Sequence, residues 1–235
     1  MKNIKAKIQA ATNQDEVWQL TINFARELGF ERVCTHYIRD LLARGDGFSE
    51  LIQTENIPAE LTDAIAKTAR HDDPIFAKAV SATQAFRISS LPTRLQMTQR
   101  QQYHFDKFVQ PLGDGFVVPA FGPTGRCGYT CYLGSHDFID KFEREDQLDW
   151  FTQTAILRLF DFDAKHGLSN QVLSRREIEI LEQIARGRTN AEISRELDIS
   201  PHSVNTYLNR CFKKLNVNDR TSAVLVAQRH GVFCS

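Results

Sequence analysis

The side chains best placed to do chemistry lie close to the C-terminus, where His202, Ser203, Asn205, Thr206, Asn209, Arg210 and Lys213 occupy the positions left over by an apolar stripe. That stripe is Val204, Leu208, Cys211 and Leu215, spaced 4, 3 and 4 apart, which is one face of a helix. The opposite face mixes amides and hydroxyls, which can pair with base edges, with cations, which attract phosphate. This is the chemistry of a helix that enters a DNA major groove. A plain solvated helix face has a similar composition, so the elements around it must decide.

Those elements are marked by their ends. Ser174-Arg175-Arg176-Glu177 and Thr189-Asn190-Ala191-Glu192 both have the form of a capping box, which starts a helix by pairing the cap and third-residue amides with each other's side chains. Ile178, Leu181, Ile184 and Ala185 give the first of these helices its apolar face, and Gly187 ends it. The second runs from Asn190 to Leu197. Asp198-Ile199-Ser200-Pro201 then forms a turn, with Ser200 as cap and Pro201 at the first helical position of the stripe-bearing helix. The tight helix-turn-helix spacing favours the groove-reading interpretation.

The pattern Leu173-Ser174-x-Arg176-Glu177-x-Glu179-Ile180-Leu181, Ala185-x-Gly187-x-Thr189-Asn190-x-Glu192-Ile193, Ser200-x-x-Ser203-Val204, Lys214-Leu215-Asn216-Val217 and Arg220-Thr221-x-Ala223 resembles the LuxR-type helix-turn-helix. The resemblance implies a fourth helix near Asp219 to Arg229 that often helps dimerisation. It adds Thr189, Asn190 and Arg220 to the DNA-contacting set. Glu177, Leu181 and Gly187 match family hallmarks, but capping, packing and chain reversal account for them. Tyr207 departs from the histidine frequent in the family, which bears on operator preference.

Upstream, Val17, Leu20, Phe24 and Leu28 predict an amphipathic helix over residues 13–28, ended by Gly29. Residues 30–38 read as a strand, 58–69 and 74–82 as short helices, and 94–109 as a further helix. Residues 116–121 and 127–133 flank Gly122-Pro123-Thr124-Gly125 and read as a hairpin, followed by a long helix over 140–162. The expected architecture is an α+β sensor domain (residues 1–164), an antiparallel sheet with helices on its faces. A linker (165–172) leads to an all-α four-helix helix-turn-helix domain (173–235).

Composition agrees with a soluble, folded regulator. The net charge is +0, but residues 166–235 hold 10 Lys and Arg against 7 Asp and Glu, leaving 19 against 22 upstream. A neutral total therefore does not exclude a phosphate-seeking end. The five cysteines include no CxxC pair, and Cys127 and Cys131 on one strand would stand roughly 13 Å apart, too far for a disulfide or a shared metal. Reduced thiols, no signal segment and no long apolar run predict a cytoplasmic chain without membrane association.

Residues 1–165 resemble the autoinducer-binding domain of quorum-sensing LuxR regulators through Asn56-x-Pro58, Asp73-Pro74, Phe86 ahead of Ser89, and Gly113-x-Gly115-Phe116-x-Val118-Pro119 leading into Gly122-Pro123-x-Gly125. In that family an Asp before Pro receives the amide N–H of an acyl-homoserine lactone, and Asp73 matches it. The resemblance places Ile88 where a lactone-binding Trp is expected, and a further Trp and Tyr fall near Glu60 or Leu61 and Ala64 or Ile65. Each indole replaced by an alkyl group costs a lactone about 1 to 3 kcal/mol, because a polar ligand atom is left unpaired in a dry pocket. Phe86, Phe116, Tyr129 and Cys131 complete the implied pocket, with Tyr129 adding bulk where the family usually has a small residue. The pocket is then either reshaped for another ligand or filled by its own side chains. Asp73 has an equal reading as the N-cap of a helix with Pro74 at its first position. His36 either enters the cavity or is a satisfied core histidine.

The expected function is that of an orphan LuxR-type regulator whose pocket binds a small signal molecule other than a standard acyl-homoserine lactone and controls DNA binding by a homodimer. The alternative is a ligand-independent regulator or heterodimerising anti-activator. Expected partners are double-stranded operator DNA, the signal molecule, a second copy of the chain and RNA polymerase. A phosphorylated response regulator would need a receiver domain, whose acidic pair after the first strand is missing from Phe30 to Asp40. Catalysis is not expected, since no nucleophile elbow, metal cluster or phosphate loop is present, and no cofactor is implied.

Overall fold

The computed structural model describes residues 2–38, 50–68, 72–122, 126–166, 173–229 and 232–234. They form two compact units, one built from a sheet and its helices up to Phe162 and one from the helices beyond.

In the first unit, α1 (Lys2–Ala10) and α2 (Gln14–Leu28) precede β1 (Arg32–Ile38) and β2 (Glu50–Glu55); α3 (Ala59–Lys67) and α4 (Pro74–Ala79) lead to β3 (Phe86–Arg87). Then come α5 (Leu91–Arg94), α6 (Gln99–His104), the hairpin β4 (Asp114–Phe121) and β5 (Cys127–Gly134), α7 (His136–Asp140) and α8 (Glu145–His166). The five strands pair antiparallel in the order β2-β1-β5-β4-β3.

Because side chains alternate along a strand, the sheet has two distinct faces. On one, Val33, Tyr37, Phe116, Val118, Ala120 and Tyr132 meet Phe24, Leu148, Phe151 and Ile156 of α2 and α8. Phe24 stacks on Phe151 at 3.9 Å between ring centroids, and the Tyr132 hydroxyl lies 2.9 Å from that of Thr152. On the other face, Cys34, Val117, Tyr129, Cys131 and Leu133 meet a smaller cluster from α4, the segment after β3, and the chain following α6. Residues 129, 131 and 133 thus line one side, and 130 and 132 the other.

Several elements differ from the expectations. Helix α1 and strands β2 and β3 had no sequence forecast. The helix expected over 94–109 is interrupted: Thr98 opens α6 with a capping box to Gln101, and a π-helical turn over Phe105–Val109 and a 3-10 turn over Gln110–Leu112 follow. The helix expected over 140–162 begins only at Glu145, because a separate α7 ends at Asp140 and Phe142 packs between Phe30 and Phe116 in the break. That helix continues to His166, past the start expected for the linker; residues 167–172 of that linker, Pro123 to Gly125 of the hairpin turn and residue 69 of the helix expected over 58–69 lie outside the described residues.

The second unit consists of α9 (Arg175–Ala185), α10 (Asn190–Glu196), α11 (Pro201–Leu215) and α12 (Arg220–Arg229) around Ile180, Leu181, Ile193, Val204, Cys211, Ala223 and Ala227. Both expected capping boxes form, at Ser174 with Glu177 and at Thr189 with Glu192, and Ser200 caps α11 ahead of Pro201. Gly187, at φ +78°, turns the chain after α9. No helix among the described residues is long and apolar enough to cross a membrane.

Candidate functional site

Two sites carry the chemistry. In the first unit a closed pocket lies between the sheet and its smaller helical layer, walled by Cys34, Tyr129, Cys131 and Leu133 from the sheet and by Ile57, Ile65, Asp73, Ile75, Ile88, His104, Val109 and Leu112 from across it. Its cavity volume is about 30 Å³, far below the several hundred Å³ (about 300 to 1,000) of a typical small-molecule site.

One polar chain crosses this apolar enclosure. Asp73 caps α4, its Oδ1 accepting from the amides of Ile75 (2.8 Å) and Phe76 (3.2 Å). Its Oδ2 accepts from the Tyr129 hydroxyl at 3.4 Å, and Tyr129 Oη lies 2.8 Å from His36 Nδ1. Since the phenol has one proton and gives it to Asp73, His36 Nδ1 donates to Tyr129. The N-cap reading of Asp73 therefore holds through Oδ1, while Oδ2 is taken by Tyr129 in the cavity. His36 is a buried histidine satisfied by Tyr129, behind the cavity wall and not on it.

The other lining groups are held neutral. Burial pushes the Cys34 thiol up to about 12, with Asp73 adding to the effect, and pushes Cys131 well above an ordinary thiol. Cys34 and Cys131 face each other across β1 and β5 as free thiols. Burial lowers the pKa of His104, against the pull of Asp73 and Asp72. The Thr68 hydroxyl donates to the Ala64 carbonyl, so at 3.3 Å it accepts from His104 Nδ1.

Of the expected pocket residues, Asp73, Ile88, Tyr129 and Cys131 line the cavity. Phe86 packs in the same apolar cluster without reaching it. Phe116 lies on the opposite face of the sheet against Phe142, because its odd-even position on β4 is out of step with the pocket face. Ile88 is positioned from behind by Asp114, which is fully buried and accepts from Arg87, the Ser89 amide (3.0 Å) and the Gly115 amide (2.8 Å). Burial alone would raise the pKa of Asp114, but those hydrogen bonds, Arg87 first, hold it below the usual carboxylate range. Cys34 and Leu133 were missed although strand alternation points to them; His104, Val109 and Leu112 come from helical turns that carried no such signal.

The second site is the face of α11. Val204, Leu208, Cys211 and Leu215 are buried as the stripe requires, and His202, Asn205, Asn209, Arg210 and Lys213 are exposed. Ser203 and Thr206 are half-buried; the Ser203 hydroxyl lies 2.9 Å from that of Ser200, and Thr206 donates to the His202 carbonyl at 3.0 Å. The Arg210 guanidinium sits over the Tyr207 ring at 5.7 Å. Thr189 is engaged as a cap. Asn190 donates to Asn205 Oδ1 at 2.6 Å, and Arg220 donates to the Arg188 carbonyl (2.6 Å) and to Asn190 Oδ1 (3.3 Å). Glu177, almost wholly buried, takes Lys214 Nζ at 2.7 Å. Burial raises its pKa, and Lys214 with Ser174 reverses the shift to a lowered value.

Comparison with known proteins bears on both sites. Residues 13–159 match the family described as autoinducer binding domain, and residues 171–227 match bacterial regulatory proteins, luxR family. The transcriptional activator protein AnoR of Acinetobacter nosocomialis is 25% identical, covering 94% of this chain and 93% of that protein. The transcriptional regulatory protein LiaR of Bacillus subtilis (strain 168) is 36% identical over 86 residues, 37% of this chain, so the match spans only 41% of LiaR. Among solved structures, SdiA in complex with octanoyl-rac-glycerol superposes with a TM-score of 0.73 at 18% identity, covering 98% of this chain and 94% of that one. A crystal structure of Escherichia coli SdiA gives a TM-score of 0.71 at 19% identity, covering 98% and 96%.

Proposed function

This chain belongs to the LuxR-type family of bacterial transcription regulators, in which an autoinducer-binding domain precedes a luxR-family helix-turn-helix, and we propose that its pocket takes a small amphiphile other than a standard acyl-homoserine lactone and thereby sets the affinity of a homodimer for operator DNA. It is a regulator, not an enzyme. The proposed setting is the cytoplasm, with promoter DNA and RNA polymerase as partners and a boundary between the two domains over residues 165–172.

The observation that carries the ligand reading is the Tyr129 phenol held between Asp73 and His36 in a cavity of about 30 Å³. A ligand enters only by displacing that ring, and an O–H or N–H group on it then replaces the phenol as donor to Asp73 Oδ2. A lactone carbonyl would meet the alkyl side chain of Ile88 and go unpaired, at a cost of about 1 to 3 kcal/mol. A glycerol ester with an eight-carbon chain, the type of molecule bound in the SdiA complex, offers hydroxyl donors and an apolar tail to aliphatic walls.

Thermal unfolding of the full chain with octanoyl glycerol and with octanoyl-homoserine lactone tests this. A ligand that binds only the folded state raises the midpoint by mass action, and the expected rise is larger for the glycerol ester. If neither compound nor an extract of the host culture moves the midpoint, the second reading stands, a ligand-independent regulator or anti-activator. That reading is favoured by how completely the pocket's own side chains fill it.

A further inference from the structure

Three side chains form a relay from α12 to the exposed face of α11. Arg220 donates through Nη1 to Asn190 Oδ1 (3.3 Å) and is itself fixed by Nη2 on the Arg188 carbonyl (2.6 Å). Asn190 in turn donates through Nδ2 to Asn205 Oδ1 (2.6 Å). A guanidinium can only donate, so Asn190 must turn its oxygen toward Arg220 and its NH2 toward Asn205. Asn205 must then answer with its oxygen. Its own NH2 is left on the exposed side of the helix, where no protein acceptor among the described residues takes it.

We infer that Arg220 and Asn190 are positioning residues that set the polarity of Asn205, so that α11 presents a fixed hydrogen-bond donor at this position and reads an acceptor on the base edge. In the major groove the acceptors are guanine N7 and O6, adenine N7 and thymine O4, whereas the exocyclic amines of adenine and cytosine donate. Adenine can satisfy either polarity, so the fixed donor admits guanine, thymine or adenine and excludes cytosine. An amide free to rotate would accept both classes. The half-buried Arg220, which the family resemblance counts among the DNA-contacting residues, is thereby assigned an inward role.

The relay makes a prediction that a purely structural brace does not. In Asn190→Asp the carboxylate can accept from Arg220 but cannot donate to Asn205, which must rotate and offer its oxygen outward. In Asn205→Asp an oxygen still accepts from Asn190 and the other faces the groove. Two different substitutions, fifteen residues apart, should therefore admit cytosine and exclude guanine and thymine at the same site. Asn190→Ala removes the restraint and should broaden that position, lowering discrimination about tenfold.

The experiment is selection from a random duplex library by the full chain and each variant, with thermal unfolding to confirm folding. The inference rests on the DNA-binding reading above, which is tested separately by retention of the wild-type chain on bulk duplex at low ionic strength. Retention with an unchanged selected base in all three variants overturns the relay and leaves DNA binding intact. Loss of retention by the wild-type chain overturns both. A change at the shared position in Asn205→Asp without the same change in Asn190→Asp also overturns the relay, because Asn190 would then not set the polarity.

Discussion

Tyr129 fills the cavity and also satisfies its buried carboxylate, and two substitutions separate those roles. Tyr129→Phe keeps the ring and removes the proton given to Asp73 Oδ2. The expected loss is about 1 to 3 kcal/mol in urea unfolding, the cost of leaving a buried acceptor short of its donor. Tyr129→Ala opens the cavity instead and destabilises by about 3 to 5 kcal/mol. It should also make the pocket permissive, so that octanoyl-homoserine lactone raises the unfolding midpoint of this variant more than that of the wild type. On α11 the exposed residues divide by chemistry: Asn209→Ala should lower discrimination between a selected and a scrambled duplex, whereas Lys213→Ala should weaken both alike and flatten the salt dependence. Equal effects of the two changes on a gel shift would overturn that division.

At the scale of elements, the helix-turn-helix is stabilised by its ends. Ser200 Oγ accepts from the Ser203 amide at 3.0 Å, and Ser200→Ala should cost about 1 kcal/mol, as N-cap losses do. Gly187 makes a cleaner test of backbone conformation, because a Cβ there would meet nothing within 4 Å although φ is +78°. Gly187→Ala is therefore expected to cost about 1 to 2 kcal/mol from the left-handed backbone alone, with Gly187→Asn costing less. Both are read by denaturant midpoints at an unchanged slope. These ends were legible because capping is local: Ser174, Thr189, Ser200 and Pro201 act on amides within three residues of themselves. The strands β2 and β3 were not, since a short edge strand such as Phe86–Arg87 exists only through its pairing with Val117 and Phe116.

For the molecule as a whole, His104, Asp114 and Glu177 set one direction of pH dependence, opposed by Asp149, whose pKa is raised by burial. His104 has a lowered pKa in the folded state, so as pH falls below about 6.5 the unfolded chain takes up protons first and stability declines. Asp114 and Glu177 are also lowered; their contribution is present above the ordinary carboxylate value, about 4, and is lost as pH falls through their folded pKa values. The unfolding midpoint should thus drop from pH 7 to 5 in the sensor unit, and His104→Gln should remove that first step while leaving the acid limb. A midpoint that rises on acidification would contradict the assignment. What the amino-acid sequence determined by itself was everything governed by spacing along the chain: the first three helices of the DNA-binding unit, the stripe of Val204, Leu208, Cys211 and Leu215, the β4–β5 hairpin strands, and the cap at Asp73 as one of two readings. Only the tertiary structure decided which groups meet across elements. It put Phe116 on the wrong face for the pocket, brought His104 into the wall, closed the cavity around Tyr129 and linked Arg220 through Asn190 to Asn205. Those contacts join residues up to 93 positions apart, as between His36 and Tyr129, and no periodicity in a single segment encodes a distance between two segments.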